Sequence, residues 1–150
     1  GVMGMPMTTA ENLPVGGALT FAGSASIRVE RGAAPLVFFG DAGLRVDFGT
    51  GTAAGQIENV FGTNSGGAVV DLGGVIALAS DAPGLSMAVS YEGTLDASGE
   101  TLGFDGTMAG VLLGNPVAAI SAADLEAQVD HDGTMRTATV VITLEGVSDP

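Results

Sequence analysis

The 150-residue chain has no cysteine, no tryptophan and no lysine, and only one tyrosine and one histidine. Without cysteine there can be no disulfide, no thiol catalysis and no Cys-ligated zinc. Nor is there a thiol to carry the N-terminal lipid of a bacterial lipoprotein. The only full-time cations are Arg28, Arg31, Arg45 and Arg136, against 17 Asp plus Glu, a formal net charge of −13. Nucleic acid is excluded as a partner, because its phosphates need cations to replace released counterions. Adsorption to anionic lipid is disfavoured for the same reason. The acidity itself fits a surface kept soluble by self-repulsion, or one that attracts a basic partner. No apolar run approaches the ~18 residues of a membrane-spanning helix, and no direct insertion into a lipid bilayer is expected. No basic region followed by an apolar stretch and a cleavage site opens the chain. Any export signal is therefore expected to have been removed or to lie outside this sequence.

What is abundant is glycine, 25 residues, within a 46% hydrophobic composition. That is too apolar for a disordered acidic chain, and the length fits one domain with one core. Residues 1–13 show no periodicity and are expected to form a flexible N-terminal arm, with residues 14–150 as a β-barrel domain. From Gly17 onward apolar and polar residues alternate. Leu19, Phe21, Ala25, Ile27 and Val29 occupy odd positions; Thr20, Ser24, Ser26, Arg28 and Glu30 occupy even ones. This is the pattern of a strand with one buried and one wet face.

The clearest copy of the pattern runs from Asp41 to Phe61. Leu44, Val46 and Phe48 alternate with Arg45 and Asp47, a break follows at Gly49-Thr50-Gly51, and Gln56 and Glu58 then flank Ile57. Alternation on both sides of a short glycine-containing link predicts a β-hairpin. Similar runs follow over Val69–Ser80, with a bend at Gly73-Gly74, then from Leu85 to Glu92, Leu102 to Leu112 and Thr137 to Glu145. Turns are expected at Asn64-Ser65-Gly66-Gly67, Asp81-Ala82-Pro83-Gly84, Asp96-Ala97-Ser98-Gly99 and Asp130-His131-Asp132-Gly133. Ser121 to Gln128 reads as the one short helix, with Ser121 as its cap.

The expected fold is all-β: a single antiparallel up-and-down barrel of about eight strands, with at most one short helix near 121–128. A two-sheet sandwich is the alternative. Closure solves the edge problem of a long meander, and small inward residues let the wall bend.

Three stretches carry a family resemblance. Leu13-Pro14-Val15-Gly16-Gly17-Ala18-Leu19-Thr20-Phe21-Ala22-Gly23-Ser24-Ala25 resembles the opening strand of the transferrin-binding protein B-type β-barrel. Gly40 to Gly51, followed by Gly55-Gln56-Ile57, is similar to that family's next hairpin. Tyr91-Glu92-Gly93-Thr94 and Gly103 to Gly114 resemble a later strand with Phe-x-Gly and a second Gly. The resemblance implies an eight-stranded barrel of Gram-negative surface lipoproteins and exported binding proteins. Members bind host iron or haem proteins, or other ligands, through loops or a handle domain. The chain departs from the family in showing no handle domain and no lipidation cysteine. The shared motifs are scaffold, so no family binding residue is carried over.

Candidate chemistry is sparse. His131 would have to serve any Ser-His-Asp triad, and no Gly-x-Ser-x-Gly elbow accompanies it. Asp130-x-Asp132-Gly133, preceded by Glu126, matches only the start of a calcium loop. His131, Tyr91 and the methionines are the available haem ligands, and Met3, Met5 and Met7 are the available soft-metal thioethers. Each has an ordinary alternative: a hairpin turn, a barrel-wall residue, a tail. Gly49-Thr50-Gly51 precedes a strand rather than a helix, so it is no phosphate cradle. Nothing singles out two of the carboxylates for glycoside hydrolysis.

The resulting expectation is a non-enzymatic binding barrel, extracellular, on the cell surface or in the periplasm of a Gram-negative bacterium. It would contact a protein or small ligand through its loops. No catalytic or metal residue, no ligand-binding residue and no cofactor is assigned. The alternatives are a structural protein that self-associates through barrel surfaces and a small-molecule carrier, haem included. Leu19, Phe21, Ile57, Phe104, Ile142 and Leu144 are the side chains available to fill the lumen.

Overall fold

The computed structural model describes residues 6–9, 11, 15–30, 35–63, 69–81, 86–97, 99–115 and 117–147. Among them nine strands form one sheet: β1 (Ala18–Val29), β2 (Leu36–Asp47), β3 (Thr52–Thr63), β4 (Val69–Asp71), β5 (Ile76–Ser80), β6 (Ser86–Ala97), β7 (Glu100–Leu113), β8 (Ala119–His131) and β9 (Thr134–Gly146). Every pairing is antiparallel. β1 pairs with both β2 and β9, and the β2–β3 pairing closes the ring. The result is an eight-stranded barrel plus one extra strand, not a sandwich. β4 and β5 both pair with β3 and act as one strand interrupted at Leu72–Val75. The expected bend at Gly73-Gly74 is that interruption, where Gly73 bridges Asp96 of β6.

Closure requires the wall to turn sharply, and glycine is placed where it does. A Cβ on Gly23 would strike the carbonyl oxygen of Thr143 in β9, and one on Gly55 would strike that of Gly43 in β2. Both contacts are with backbone, which cannot swing away as a flexible side chain can. Any larger residue there must push neighbouring strands apart.

Turns follow their residue chemistry. Asp132-Gly133 joins β8 to β9 with φ values of 50° and 91°, the two-residue geometry that Asp-Gly favours. In the β2–β3 link, Asp47 Oδ1 accepts the amides of Gly49 and Thr50 at 2.9 and 3.0 Å. These bonds, that from Thr50 foremost, hold the Asp47 carboxyl below the usual carboxylate range.

Two bulges reset the alternation. One lies on β3, where Phe39 pairs with Phe61 but Asp41 pairs with Glu58. Asn59 takes φ 54° there. The other lies on β8 between Asp124 and Ala127. It explains why 121–128 reads as a helix. Ala122 faces inward before the bulge, and Ala127 and Val129 after it, so the phase slips and mimics a helical stripe. The segment is strand: closing the barrel satisfies its backbone through β7 and β9, overriding alanine and leucine propensity. Asp124 Oδ1 accepts the Glu126 amide inside the bulge, where a helix would have used it at a cap.

The inward face of every long strand is apolar and buried. Phe21, Ile57, Phe104, Ile142 and Leu144 fill the interior as expected, together with Phe38, Tyr91, Leu95 and Met108. Leu19 does not join them; it is 38% exposed at the start of β1. Each buried large side chain contributes about 1.5–3 kcal/mol of hydrophobic stabilisation. Within residues 1–13, Pro6–Thr9 lie along β7. Thr8 donates its amide to Leu112 and its hydroxyl to Gly114, and the Gly114 amide donates to Pro6. This strap occupies the edge of β7 opposite β8, since Leu113 serves β8 through Ala119. The expected turns at 64–67 and 82–84, along with Met3, Met5 and Ser98, lie outside the described residues.

Candidate functional site

A polar pair links β6 to β8 across β7. Tyr91 of β6 is 1% exposed and faces Gly106 of β7 across the pairing. Its ring lies where a Gly106 side chain would stand. The empty Cα position lets the phenol pass over β7 and reach the bulge of β8, where it donates to Asp124 Oδ2 at 2.7 Å. Burial, then the bond to Asp124 and the charges of Asp124 and Asp105, push the phenol far above its ordinary pKa. A haem-ligating tyrosine has to ionise. Tyr91 is held neutral and engaged, so this arrangement does not offer it to iron.

His131 ends β8 beside Leu102, at the end of β7 away from the strap, and is 8% exposed. Arg136 Nε donates to its Nδ1 at 2.9 Å. With Nδ1 accepting, a neutral ring carries its proton on Nε2, which faces Glu100 Oε1 at 3.3 Å. Glu100, His131 and Asp132 bring ligand-type atoms within 4.8 Å of one another. A metal at Nε2 would need that proton moved to Nδ1 and the Arg136 bond broken. The carboxylates of the calcium-like fragment are also engaged locally. Asp130 Oδ1 accepts the Gly133 amide at 2.7 Å and Asp132 Oδ1 accepts that of Thr101 at 2.9 Å. Glu126 sits apart, in the bulge. Among the described residues, the partners of His131 are Glu100, Asp132 and Arg136, none of them a hydroxyl nucleophile. Met87 and Met108 are interior, whereas Met7 and Met135 are exposed; these four described methionines do not converge on a heteroatom site.

The outer wall is more informative. Strand register lays out rows across β1, β2 and β3. Ser26, Phe39 and Phe61 share one row, which Asp71 of β4 extends. Two residues along β2, Ser24, Asp41 and Glu58 form the next row. Two further along, Ala22, Gly43 and Gln56 form a third. Phe39 and Phe61 are 46% and 43% exposed, with ring centroids 6.0 Å apart and planes tilted by 39°. Asp41 and Glu58 are like charges directly opposite, an unfavourable pairing. It is eased by Asn59 Nδ2, which donates to Asp41 at 3.0 Å, and by Gln56, which donates to Glu58. Beyond them lies a groove of 390 Å³ floored by small residues, Ala22, Gly43 and Ala54, and bordered by Arg45.

A second like-charge pair stands on another wall. Glu92 of β6 is opposite Asp105 of β7, beside a 500 Å³ groove that also takes in Asp130 and Met135. Neither carboxylate has a hydrogen-bond or ion-pair partner among the described residues. No aromatic side chain is exposed next to them.

The outward aromatic pair is the feature missed in the sequence. One signal was present: Phe38-Phe39 inside an alternating strand forces one ring out. The other was hidden, because simple alternation from Ile57 sends Phe61 inward.

No family model matches the chain, and no curated protein matches it. A solved structure of the vaccine antigen transferrin-binding protein B from Haemophilus parasuis Hp5, a tryptophan-to-alanine mutant, superimposes with a TM-score of 0.58 at 13% identity. The match covers 95% of this chain and 29% of that one. At that identity the likeness is one of fold: this chain is built like a transferrin-binding protein B barrel.

Proposed function

We propose that the chain is an exported or surface-displayed binding barrel of a Gram-negative bacterium that engages a protein partner with its exterior. The observation that carries this is the contrast between an apolar buried interior and a tilted phenylalanine pair on the outer wall, each ring close to half exposed. Aromatic side chains are enriched at protein interfaces, and the described residues put Phe21, Ile57, Tyr91, Leu95 and Met108 into an interior of the size that side chains can fill. The neighbour of like fold is named for binding transferrin; its partner is not transferred to a chain spanning 29% of its length. On this reading residues 14–150 are the barrel domain and residues 1–13 an N-terminal arm, of which Pro6–Thr9 meet β7.

Native mass spectrometry of the protein recovered from its own cells tests this reading. The expected species are the bare chain and a complex with a second, different protein. A stoichiometric small molecule shielded from solvent would restore the carrier alternative. A homo-oligomer alone would restore the self-assembling one.

A further inference from the structure

Resting on the exterior-binding reading, we infer that the β1–β2–β3 wall centred on Phe39 and Phe61 docks an extended segment of a basic protein, with an apolar and a cationic side chain two residues apart. The spacing comes from the wall itself. Phe39, Asp41 and Gly43 follow one another at every second position of β2, each at the centre of a cross-strand row. The rows are aromatic, acidic and hollow in turn. Strand positions two apart are about 6.6 Å apart, and an extended partner running alongside has the same period. An apolar side chain then meets the Phe39–Phe61 rings, and a guanidinium or ammonium two residues on meets Asp41 and Glu58. The following side chain enters the groove over Gly43.

Charge selects the occupant. A cation between Asp41 and Glu58 converts a repulsive pair into two attractive ones. Neither flanking arginine does so from within the chain: Arg28 Nε is bonded to Glu30 at 2.8 Å, and Arg45, across the groove, forms no ion pair with Asp41 or Glu58 among the described residues. A second copy is disfavoured. It would bring Asp41, Glu58 and Asp71 against a surface of the same sign, in a chain whose formal charge is −13. The acidic Glu92–Asp105 wall has charge without the aromatic row, which makes it an internal control.

The test uses the full chain and a labelled peptide, Ser-Leu-Ser-Arg-Ser-Leu-Ser, with a Glu-for-Arg version as control, read by fluorescence anisotropy. The Arg peptide is expected to bind and the Glu peptide not to. The double variants Phe39→Ser/Phe61→Ser and Asp41→Asn/Glu58→Gln should each weaken binding about tenfold. Glu92→Gln/Asp105→Asn should stay within about twofold of the parent. Both wall doubles alter side chains on the outer face of the wall, so their melting curves should remain close to the parent's. Absence of binding, undiminished binding in either wall double, or an equal loss in the Glu92/Asp105 double overturns the inference. So does a dimer by light scattering that Phe39→Ser/Phe61→Ser dissolves, which would assign the patch to a second copy. A failed peptide test beside a native complex with another protein sinks this surface and leaves the exterior-binding reading standing. A lumenal small molecule sinks the reading itself.

Discussion

Asp41–Glu58 on the β2–β3 wall and Glu92–Asp105 on the β6–β7 wall are the same arrangement in different surroundings. Each sets two carboxylates directly across a strand pair, beside a groove. On the first wall, side-chain amides ease the charges and two phenylalanines stand exposed beside them. On the second, the carboxylates have no partner among the described residues, and the nearby aromatic, Tyr91, is folded inward. One wall places its aromatic surface outside, where a partner can reach it. The other uses its aromatic ring to tie β6 to β8 through the barrel. Acidity alone therefore marks neither wall. What separates them is the direction in which the rings point.

The largest expected difference between the walls is in stability. Tyr91→Ala should cost about 3–5 kcal/mol, as for other buried aromatics, while Phe61→Ala should stay within about 1 kcal/mol of the parent. Urea denaturation of the two variants checks this, and comparable losses would break the distinction between an inner and an outer ring. Next comes wall curvature. Gly55→Ala, whose Cβ meets backbone, should destabilise by about 1–3 kcal/mol, whereas alanine at Gly43, which meets only ordinary contacts, should be tolerated.

A smaller effect tests the Tyr91–Asp124 tie. Tyr91→Phe should lose about 1 kcal/mol, the net value of one hydrogen bond. The parent should also carry an alkaline signature. The folded-state pKa of Tyr91 lies above the unfolded value of about 10, so its stabilisation is complete below about pH 10 and is lost as pH rises through the folded value. With one tyrosine and no tryptophan in the chain, tyrosinate absorbance reports this group alone. Ionisation at an ordinary tyrosine pKa in the folded protein would remove the tie. The smallest effect is electrostatic. Glu92→Gln should stabilise by a few tenths of a kcal/mol. Glu58→Gln should do less, since Gln56 already eases that charge. Thermal melts at low salt resolve the order, and the reverse order would contradict the contrast between the walls.

The barrel was legible in the sequence because alternation and turn chemistry are local. Leu44, Val46, Ile57, Val140 and Ile142 show their inward direction by spacing alone, and Asp132-Gly133 shows its turn. The bulges were not legible, because an extra residue on one strand is defined only by its partner. The bulge at Asp124–Ala127 made a strand read as a helix, and that at Asn59 turned Phe61 outward. The candidate surface needs both the Asn59 bulge and the β2–β3 register, so it could not be assembled before the fold. The lone histidine and tyrosine are rare residues in the sequence, and the structure engages them with Arg136 and Asp124 in holding strands together.

The most direct measurement is an amide chemical-shift titration of the full chain with the Arg peptide. Shifts are expected along Phe39, Asp41, Gly43, Glu58 and Phe61, with the Glu92–Asp105 wall unmoved. Shifts centred on Glu92 and Asp105, or on interior residues such as Tyr91 and Leu95, would contradict docking on the β1–β2–β3 wall.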